Sequence, residues 1–420
     1  MIFPYFQSQA EAIIIPGLHK KLKIALVANS TWNIYNFRLN IIEKLLNAGF
    51  DVIVVAPIDA YVTYRNKFPT VKHIAVKELA RKGTNPIQDL KLLLEFRQIF
   101  RREQPDLILH YTVKPNIYGG IAARLTHSNY IGVITGLGYT FLHNGLIYKI
   151  TKILYRLSFK NAAKVVFENI DDRILFNGLG ITTSEKSVSL KGCGINTEHF
   201  KLNIVPTNDN RHRVFSFIGR FLYDKGIKEF VEAARIVKEK HPNTQFWLIG
   251  SIDTQNPSAI DESELQAWIE KGIVIYKGQV EDVRPFIAQS DCIVCPSYRE
   301  AIARVLQEGM AMEKAVITTD VAGCREAVEE GKNGYIVKVK DPKNLADAMF
   351  RIIEMSHNDL IKLGKYGRKK VEKEFDDRII ARQFLEIINE ALGITTSNES
   401  NDLKSKLPHK IPAYSEEIRE

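Results

Sequence analysis

Residues 22–56 read LKIALVANSTWNIYNFRLNIIEKLLNAGFDVIVVA, in which apolar runs alternate with a helical pattern. The runs at 22–27 and 51–56 are typical of buried strands, and residues 38–48 between them predict a helix. Parallel strands need a crossover connection, usually a helix, so this order indicates parallel pairing. We therefore expect an α/β protein whose parallel sheet carries helices on both faces.

The same alternation continues along the chain in two series of predicted strands. The first series continues at 106–110, 130–134, 164–167 and 187–190, and the second comprises runs from 214 and at 245–249, 273–276, 292–295, 315–317 and 334–337. The segment between the series is polar and contains Pro206, Asn208 and Asn210, a composition typical of a linker.

Two doubly wound domains that face each other across a cleft follow from these two series. The predicted organisation is an extension at 1–20, a first domain at 21–200, a linker at 201–213, a second domain at 214–375, a helix at 376–394 that crosses back to the first domain, and a tail at 395–420. The tail is rich in Ser, Asn, Lys and Glu and lacks a long apolar period, so we expect it to be flexible.

The basic residues of the chain are unevenly distributed. The formal net charge is +9, and residues 1–200 hold 25 Lys and Arg against 14 Asp and Glu, so the whole excess lies in the first half. A basic half indicates an anionic partner, either nucleic acid or a membrane surface. No nucleic-acid-binding module is recognisable and the excess is spread through predicted helices, which favours an anionic membrane and no nucleic acid.

The chain is expected to lie on a membrane rather than to cross it. No apolar stretch approaches the roughly 18 residues of a spanning helix, and residues 1–20 lack the features of a signal peptide. The four cysteines lie in or beside apolar or glycine-rich segments, which favours a reducing compartment. Cys292 and Cys295 have metal-ligand spacing, but in a strand their side chains would point to opposite faces. These features predict a cytoplasmic protein, peripheral at the inner face of the membrane.

The predicted helix at 146–160 could provide the membrane contact. Its apolar stripe consists of Leu146, Ile150, Ile153, Leu154 and Leu157, and its basic stripe consists of Lys149, Lys152, Arg156 and Lys160. Such a helix could rest on an anionic bilayer, or its apolar stripe could face the protein core. Periodicity does not separate these two alternatives.

Two glutamates eight positions apart, Glu300 and Glu308, follow the apolar run that ends at Cys295 and open a predicted helix. A helix N-terminus attracts diphosphate oxygens, and nearby carboxylates accept hydrogen bonds from sugar or ribose hydroxyls. The pattern favours a sugar-nucleotide site, although two glutamates at this spacing can also be solvated acids on a helix surface.

A second element lies upstream and carries two cations. Gly219 ends the strand that begins at Val214, and Arg220 and Lys225 follow on the strand-to-helix loop, where open α/β sheets bind ligands. Two fixed positive charges suit a diphosphate, whereas a solvated basic pair contributes little.

Together the two elements resemble the retaining glycosyltransferases of family 4, which carry G-R-x4-K-G and E-x7-E in this order. The motifs lie here at 219–226 and 300–308, and GCGINTEHF at 192–200 is similar to the family's junction between domains. The resemblance extends from about Lys21 to about Leu392. Further segments at 33–38, 114–119, 135–138 and 323–327 are similar to bacterial enzymes that extend undecaprenyl-diphosphate-linked sugars, among them N-acetylgalactosaminyltransferases.

The resemblance implies a GT-B fold and the retaining transfer of a hexose or N-acetylhexosamine from a UDP-sugar to a lipid-linked saccharide, in surface polysaccharide or glycoprotein glycan assembly. It implies that Arg220 and Lys225 neutralise the leaving diphosphate, that Glu300 contacts the transferred sugar and that Glu308 holds the ribose. The remaining donor-binding candidates are Gly219, Ile302, Ala303, Arg304 and Val305. The candidates for the acceptor or the cleft wall are Arg38, Lys114, Asn116, Gly136 and Gly138.

Neither a cofactor nor a metal is expected. The chain contains no Asp-x-Asp, so cationic side chains are the expected partners of the diphosphate. Lys114 could alternatively be an exposed lysine before Pro115, and the glycines at 136 and 138 could form a plain tight turn.

Several positions depart from the family pattern. They are Ala301, where glycine is usual, Ala303, where proline is common, Gly309, where alanine is common, and Glu313, where glycine is usual. The histidine of many relatives is also not plainly matched, since His110 lies three residues before Val113. Two alternatives therefore stay open, a GT-B sugar-nucleotide epimerase and a catalytically impaired GT-B binding protein.

Overall fold

The computed structural model describes residues 21–79, 85–137, 145–202, 212–254 and 256–394. The predicted extension at 1–20, most of the predicted linker, Gly138 and the predicted tail at 395–420 lie outside the described residues.

The first domain contains a seven-stranded parallel sheet with the order β3-β2-β1-β4-β5-β6-β7. Its strands are β1 (Lys23–Val27), β2 (Asp51–Ala56), β3 (Lys72–Ala75), β4 (Leu107–Tyr111), β5 (Tyr130–Ile134), β6 (Lys164–Phe167) and β7 (Ser187–Ser189). Strand β1 pairs with β2 from Lys23 opposite Asp51 and with β4 from Ile24 opposite Leu107. The strand order therefore reverses at β1 and β4, which places a crevice at their carboxyl ends.

The second domain contains a six-stranded parallel sheet with the order β10-β9-β8-β11-β12-β13. Its strands are β8 (Val214–Ile218), β9 (Gln245–Ile249), β10 (Ile275–Gly278), β11 (Cys292–Cys295), β12 (Ala315–Thr319) and β13 (Gly334–Val337). This confirms the predicted α/β class with two doubly wound domains.

Helices cover both sheets. They are α1 (Thr31–Phe37), α2 (Leu39–Asn47), α3 (Tyr64–Lys67), α4 (Pro86–Glu103), α5 (Gly120–Leu125), α6 (Leu146–Phe159), α7 (Ile170–Gly178), α8 (Ile227–Lys240), α9 (Glu262–Glu270), α10 (Arg284–Gln289), α11 (Arg304–Ala311), α12 (Pro342–Glu354), α13 (His357–Glu374) and α14 (Asp377–Leu392). Polar caps fix several helix starts: Asn85 precedes Pro86 and accepts a hydrogen bond from the Ile87 N–H at 3.0 Å.

The last helix, α14, packs against the first domain. The N-cap Asp376 pairs with Ile195, and Phe384 of α14 stacks on Tyr111 at the end of β4. Ile388 is fully buried in the core of the first domain. Helix α14 therefore links the two domains through apolar packing.

Three local predictions differ from the structure, one of them the strand expected at 273–276, which is β10 and begins two residues later. The helix expected at 38–48 is α2, but a separate helix α1 precedes it, with Arg38 at the junction in a non-helical conformation (φ −128°). The segment of α1, TWNIYNF, contains no strong helix former, so propensity does not predict it. The edge strand β3 was not predicted because it is only four residues long and half polar.

Candidate active site

A cavity of about 400 Å³ lies between the two domains, at the carboxyl ends of strands from both sheets. Its volume is in the range of small-molecule sites. Its lining residues are Asn33, Phe37, Arg38, Thr135, Gly136, Leu137, Glu168, Cys193, Arg220, Lys225, Arg299, Glu300, Ala301, Ile302 and Arg304. Each domain thus contributes loops that follow its parallel strands.

The centre of the second-domain wall is an ion pair between Lys225 and Glu300. The Lys225 Nζ lies 2.5 Å from Glu300 Oε1, and the Ser297 hydroxyl donates to the same oxygen at 2.7 Å. Both side chains are mostly buried, with 26% and 16% of their surface exposed. The pair therefore presents one fixed cation and one fixed carboxylate to the cavity.

The loop after β8 is shaped by glycine so that Lys225 can reach Glu300. Gly226 has φ +71°, and a Cβ there would lie 2.0 Å from the Pro296 carbonyl oxygen. Burial lowers the pKa of Lys225, but the charge and the hydrogen bond of Glu300, together with Cys295, outweigh it, so the pKa lies above its ordinary value. Lys225 is consequently a cation at neutral pH.

Arg220 lies at the rim of the same wall. Its side chain is 51% exposed, and its Nη1 lies 2.9 Å from Asp253 Oδ2. Gly219 precedes it with φ +155° and is not among the described residues that line the cavity. Arg220 is thus free enough to turn toward a bound anion.

Helix α11 begins at Arg304 and carries Glu308 one turn later. Arg304 Nε lies 3.2 Å from Glu308 Oε1, and its Nη1 donates to the Asn36 carbonyl of the first domain at 2.5 Å. The guanidinium also lies 5.2 Å from the Phe37 ring centre. Burial raises the pKa of Glu308, although Arg304 opposes this. Glu308 therefore lies behind Arg304 and does not itself line the described cavity.

The other donor-site candidates lie just before α11 and in its first turn. Ile302 lines the cavity, whereas Ala303 is buried and its N–H donates to the Gly323 carbonyl at 2.7 Å. Val305 packs partly buried in the second-domain core. The first N–H groups of α11 have no partner within the helix, so they can bind an anion.

The structure brings Arg38 and Gly136 of the first domain into the cavity. Gly136 has φ +104°, and a Cβ there would lie 3.0 Å from the Cβ of Ala301. The family departure at Ala301 is thus accommodated by a glycine on the opposite wall. Packing also accounts for the family departure at Gly309, because a Cβ there would lie 2.7 Å from the Ile293 side chain.

The structure does not bring Lys114 and Asn116 into the described cavity lining. The Lys114 Nζ lies 2.8 Å from Asp89 Oδ1 on α4, and its side chain is only 16% exposed, so it is not the solvated lysine of the alternative interpretation. The Asn116 amide donates to the Val133 carbonyl at 2.8 Å and accepts from the Val133 N–H at 3.2 Å. Both side chains therefore hold the segment after β4 in place.

His110 also faces the protein interior. It is fully buried between Phe100 and Tyr130, and its ring nitrogens have no hydrogen-bond partner among the described residues. Burial lowers the pKa of His110 to about 3. It is therefore neutral, and it does not replace the histidine of the relatives in the described part of the cavity.

Cys292 and Cys295 belong to different core clusters on the two faces of the second sheet, as predicted from their spacing. Within the described ranges, no group of three or more His, Cys, Asp or Glu side chains could hold a metal ion. In the same part of the chain, no helix has the length and hydropathy needed to span a bilayer.

Sequence reasoning missed Glu168, Asn33 and Arg299 of the cavity wall. Glu168 directly follows β6, and Arg299 precedes Glu300 and forms an ion pair with Asp172 of α7. The position of Glu168 after a predicted strand was the signal that could have identified it.

We expect Gly323→Ala to disturb the Glu300 segment. Gly323 has φ +75°, and an added Cβ would lie 2.4 Å from the Glu300 carbonyl oxygen. The left-handed backbone costs about 1–2 kcal/mol and the overlap about 1–3 kcal/mol more, so both melting temperature and turnover should fall. Thermal denaturation and steady-state kinetics measure this.

Gly331→Ala is the matched control. Gly331 has φ +73°, but nothing lies within 4 Å of an added Cβ. The Gly331→Ala variant should therefore lose only the stability that the left-handed backbone costs, and its turnover should be retained. Equal effects of the two substitutions would contradict the steric role of Gly323.

Both halves of the chain match known families. Residues 23–169 match the family model described as "Glycosyl transferase 4-like", and residues 212–355 match the one described as "Glycosyl transferases group 1". Together the matched segments include most of the residues that line the cavity.

Individual relatives are similar over most of the chain. It is 28% identical over 386 residues to the N,N'-diacetylbacillosaminyl-diphospho-undecaprenol alpha-1,3-N-acetylgalactosaminyltransferase of Campylobacter jejuni, which covers 88% of this chain and 99% of that protein. It is 24% identical over 357 residues to the UDP-Gal:alpha-D-GlcNAc-diphosphoundecaprenol alpha-1,3-galactosyltransferase of Escherichia coli, covering 80% and 89%. The crystal structure of HepE from Anabaena in complex with UDP-glucose has a TM-score of 0.71 at 18% identity, covering 88% and 100%. The predicted GT-B fold is thereby confirmed.

Proposed function

Because the chain belongs to the family 4 glycosyltransferases of the GT-B fold, we propose that it transfers a hexose or N-acetylhexosamine from a UDP-sugar to an undecaprenyl-diphosphate-linked saccharide, with retention at the anomeric carbon. The observation that carries this proposal is the ion pair of Lys225 and Glu300 in the wall of the cavity between the domains. The product would serve surface polysaccharide or glycoprotein glycan assembly.

The second-domain wall has the chemistry that a nucleotide-sugar needs. Lys225 and Arg220 supply positive charge for the leaving diphosphate, and the N-terminus of α11 adds N–H groups. Glu300 can accept hydrogen bonds from hydroxyls of the transferred sugar. Glu308 can bind the ribose once Arg304 moves aside, because their contact is a single 3.2 Å pair.

The acceptor and the donor class are supported by the named relatives. The Campylobacter jejuni and Escherichia coli proteins are named for lipid-diphosphate acceptors, and the latter for a UDP-sugar donor. We propose that no divalent metal is needed, because cationic side chains already line the place where the diphosphate would lie.

A panel of sugar nucleotides with an undecaprenyl-diphosphate-linked saccharide tests this function. We expect one UDP-sugar to yield an acceptor longer by one sugar, detected by mass, with NMR showing the donor's anomeric configuration retained. Activity should persist in EDTA. Conversion of a UDP-sugar into its epimer without acceptor would indicate the epimerase alternative, and the absence of any turnover would indicate the binding-protein alternative.

We further propose that the first domain docks on an anionic membrane through α6. Most of its predicted apolar stripe is exposed: Leu146 is 74% and Leu157 47% exposed, and only Leu154 packs partly into the core. The helix is anchored instead by Thr151, Tyr155, Ser158 and Phe159, so the core-facing interpretation of the stripe was wrong. Exposed apolar groups beside cations suit a bilayer surface.

Helices α4 and α5, which lie on the same face of the sheet, extend this surface. Their exposed apolar side chains are Ile87, Leu90 and Leu94 of α4 and Leu125 of α5. The 115–119 turn packs against both α4 and α6. The docking surface would therefore span several helices and orient the cleft toward a lipid-linked acceptor.

Replacing the basic stripe of α6 by glutamine should release the protein from anionic vesicles. The four substitutions are Lys149→Gln, Lys152→Gln, Arg156→Gln and Lys160→Gln. Each cation near an anionic surface contributes about 1 kcal/mol, which salt screens, so co-sedimentation should fall strongly at low salt. Transfer to a short-chain, water-soluble acceptor should be retained.

The matched control replaces four exposed lysines of the second domain by glutamine, namely Lys271, Lys338, Lys365 and Lys369. It changes the net charge equally, so it should leave vesicle binding nearly unchanged if α6 is the docking element. Equal co-sedimentation of the α6 variant and the parent would exclude α6 from the membrane contact.

A further inference from the structure

A buried carboxylate faces the cavity from the first domain. Glu168 follows β6 at the carboxyl edge of the sheet and is only 6% exposed. Its Oε1 accepts a hydrogen bond from Arg38 Nη2 at 3.1 Å, and no described residue donates to its Oε2. One carboxylate oxygen is thus held and the other is available to a ligand.

Two neighbouring polar atoms on this wall also lack partners among the described residues. They are Arg38 Nε and Asn33 Oδ1, on side chains that line the cavity and are more than nine-tenths buried. An unpaired buried donor or acceptor costs about 1–3 kcal/mol. Three unfilled hydrogen-bonding positions on one wall indicate a polar, hydroxyl-bearing ligand at this place.

The Glu168 carboxylate is fixed relative to the Glu300 segment. The next residue, Asn169, donates its side-chain N–H to the Ala301 carbonyl at 2.8 Å and caps α7. Asp172 of the same helix forms an ion pair with Arg299. Glu168 and Glu300 therefore reach the same cavity from opposite domains, on segments that contact each other.

We propose that Glu168 is a catalytic residue that binds and deprotonates the attacking hydroxyl of the acceptor sugar. This role rests on the proposed function. The acceptor oxygen forms a bond to the anomeric carbon, and the bond between that carbon and the diphosphate oxygen breaks, with its electron pair leaving on the nucleoside diphosphate. The hydroxyl proton passes to Glu168 Oε2 and then to solvent, so the carboxylate is restored for the next turnover.

Arg38 acts as a positioning residue in this arrangement. Its guanidinium lies 4.2 Å from the Tyr111 ring centre, which fixes the side chain while it holds Glu168 Oε1. The unpaired Asn33 Oδ1 can accept a second hydrogen bond from the sugar.

The surroundings of the carboxylate suit a base. Burial raises the pKa of Glu168 above its ordinary value, Arg38 and Arg304 oppose this, and Asp172 adds to it. Tyr111 and Cys193 also face the group. A carboxylate of raised pKa accepts a proton more readily than a solvated one.

The Glu168→Gln variant tests the role, because glutamine keeps the shape and can accept a hydrogen bond but cannot take up the proton. We expect kcat for transfer to the lipid-linked acceptor to fall about 100-fold, with KM for the acceptor changed less than about threefold. Calorimetry with UDP should show parental affinity. Glu168→Asp keeps the negative charge but moves it back by one methylene group, so its kcat should lie between those of the parent and of Glu168→Gln.

Glu103→Gln is the matched control for removing a buried carboxylate. Glu103 pairs with Lys72 and Arg102 in the same domain, and it is not among the described residues that line the cavity. It should keep parental kcat. Three results with an active parent would overturn the role of Glu168 and leave the proposed function standing. They are an unreduced kcat of Glu168→Gln, an effect of the substitution on KM alone, and a loss of kcat that is accompanied by a loss of UDP affinity. A parent that transfers no sugar in the panel would overturn the proposed function and this role together.

Discussion

Replacing Lys225 by alanine is expected to lower turnover by about 100- to 1000-fold, the range for losing one preorganised group that stabilises developing charge. Lys225 is a mostly buried cation in the cavity wall, 2.5 Å from Glu300, so the developing charge on the diphosphate would lose its fixed partner. In the variant the Glu300 carboxylate has no cation beside it, and this uncompensated negative charge opposes the binding of another anion. Affinity for free UDP should therefore fall as well, as calorimetry would show.

Lys228→Ala is the control for this substitution. Lys228 lies on α8, half exposed, and pairs with Glu264 outside the described cavity lining. Its removal should change neither turnover nor UDP affinity by more than about twofold, because exposed ion pairs contribute little. Parental UDP affinity in Lys225→Ala would count against its role on the leaving group.

The strands of the two sheets could be predicted closely from the sequence. β2, β5, β6, β9, β11 and β13 begin and end where the apolar runs do. A strand buried on both faces must be apolar throughout, which leaves a contiguous signal in the sequence. β3 lies at the sheet edge with half-exposed side chains, and it left no such signal.

The second-domain wall of the cavity was also readable from the sequence, because its charged residues lie in two short motifs at fixed spacing. The structure brings Lys225 of the first motif and Glu300 of the second into direct contact. The first-domain wall could not be read in the same way. Lys114 resembles a ligand in the sequence, yet its side chain is neutralised by Asp89 of α4, a contact between residues 25 positions apart.

Contacts across the cleft were the least predictable feature, since they pair residues that are distant in sequence. Asp171 of α7 pairs with Arg325 at 2.8 Å, and Asp172 pairs with Arg299. From the other side, Arg304 reaches the Asn36 carbonyl. Isolated charges in a sequence carry no information about such partners, and only the relative placement of the two sheets determines them.

Glu300→Gln is expected to lower turnover by about 100-fold or more while the fold is retained. Glutamine has the shape of glutamate and can still accept hydrogen bonds from Ser297 and Lys225, but Lys225 loses its counter-charge, so the free energy of unfolding should fall by about 1–3 kcal/mol. The lost negative charge, in contrast, lines the cavity in which, under the proposed function, the sugar becomes electron-poor as the diphosphate leaves. An interaction that strengthens in the transition state affects kcat more than binding.

Steady-state kinetics with the UDP-sugar found in the panel, together with thermal denaturation, measure both quantities for Glu300→Gln. Glu270→Gln is the control, because Glu270 is an exposed glutamate at the end of α9 and should leave both unchanged. If Glu300→Gln turned over at the parental rate, the carboxylate would not contact the reacting sugar. If it lost kcat and melted far below the parent, Glu300 would hold the loop together rather than serve the reaction. Loss of kcat with a melting temperature only a few degrees below that of the parent is the result that its position beside Lys225 predicts.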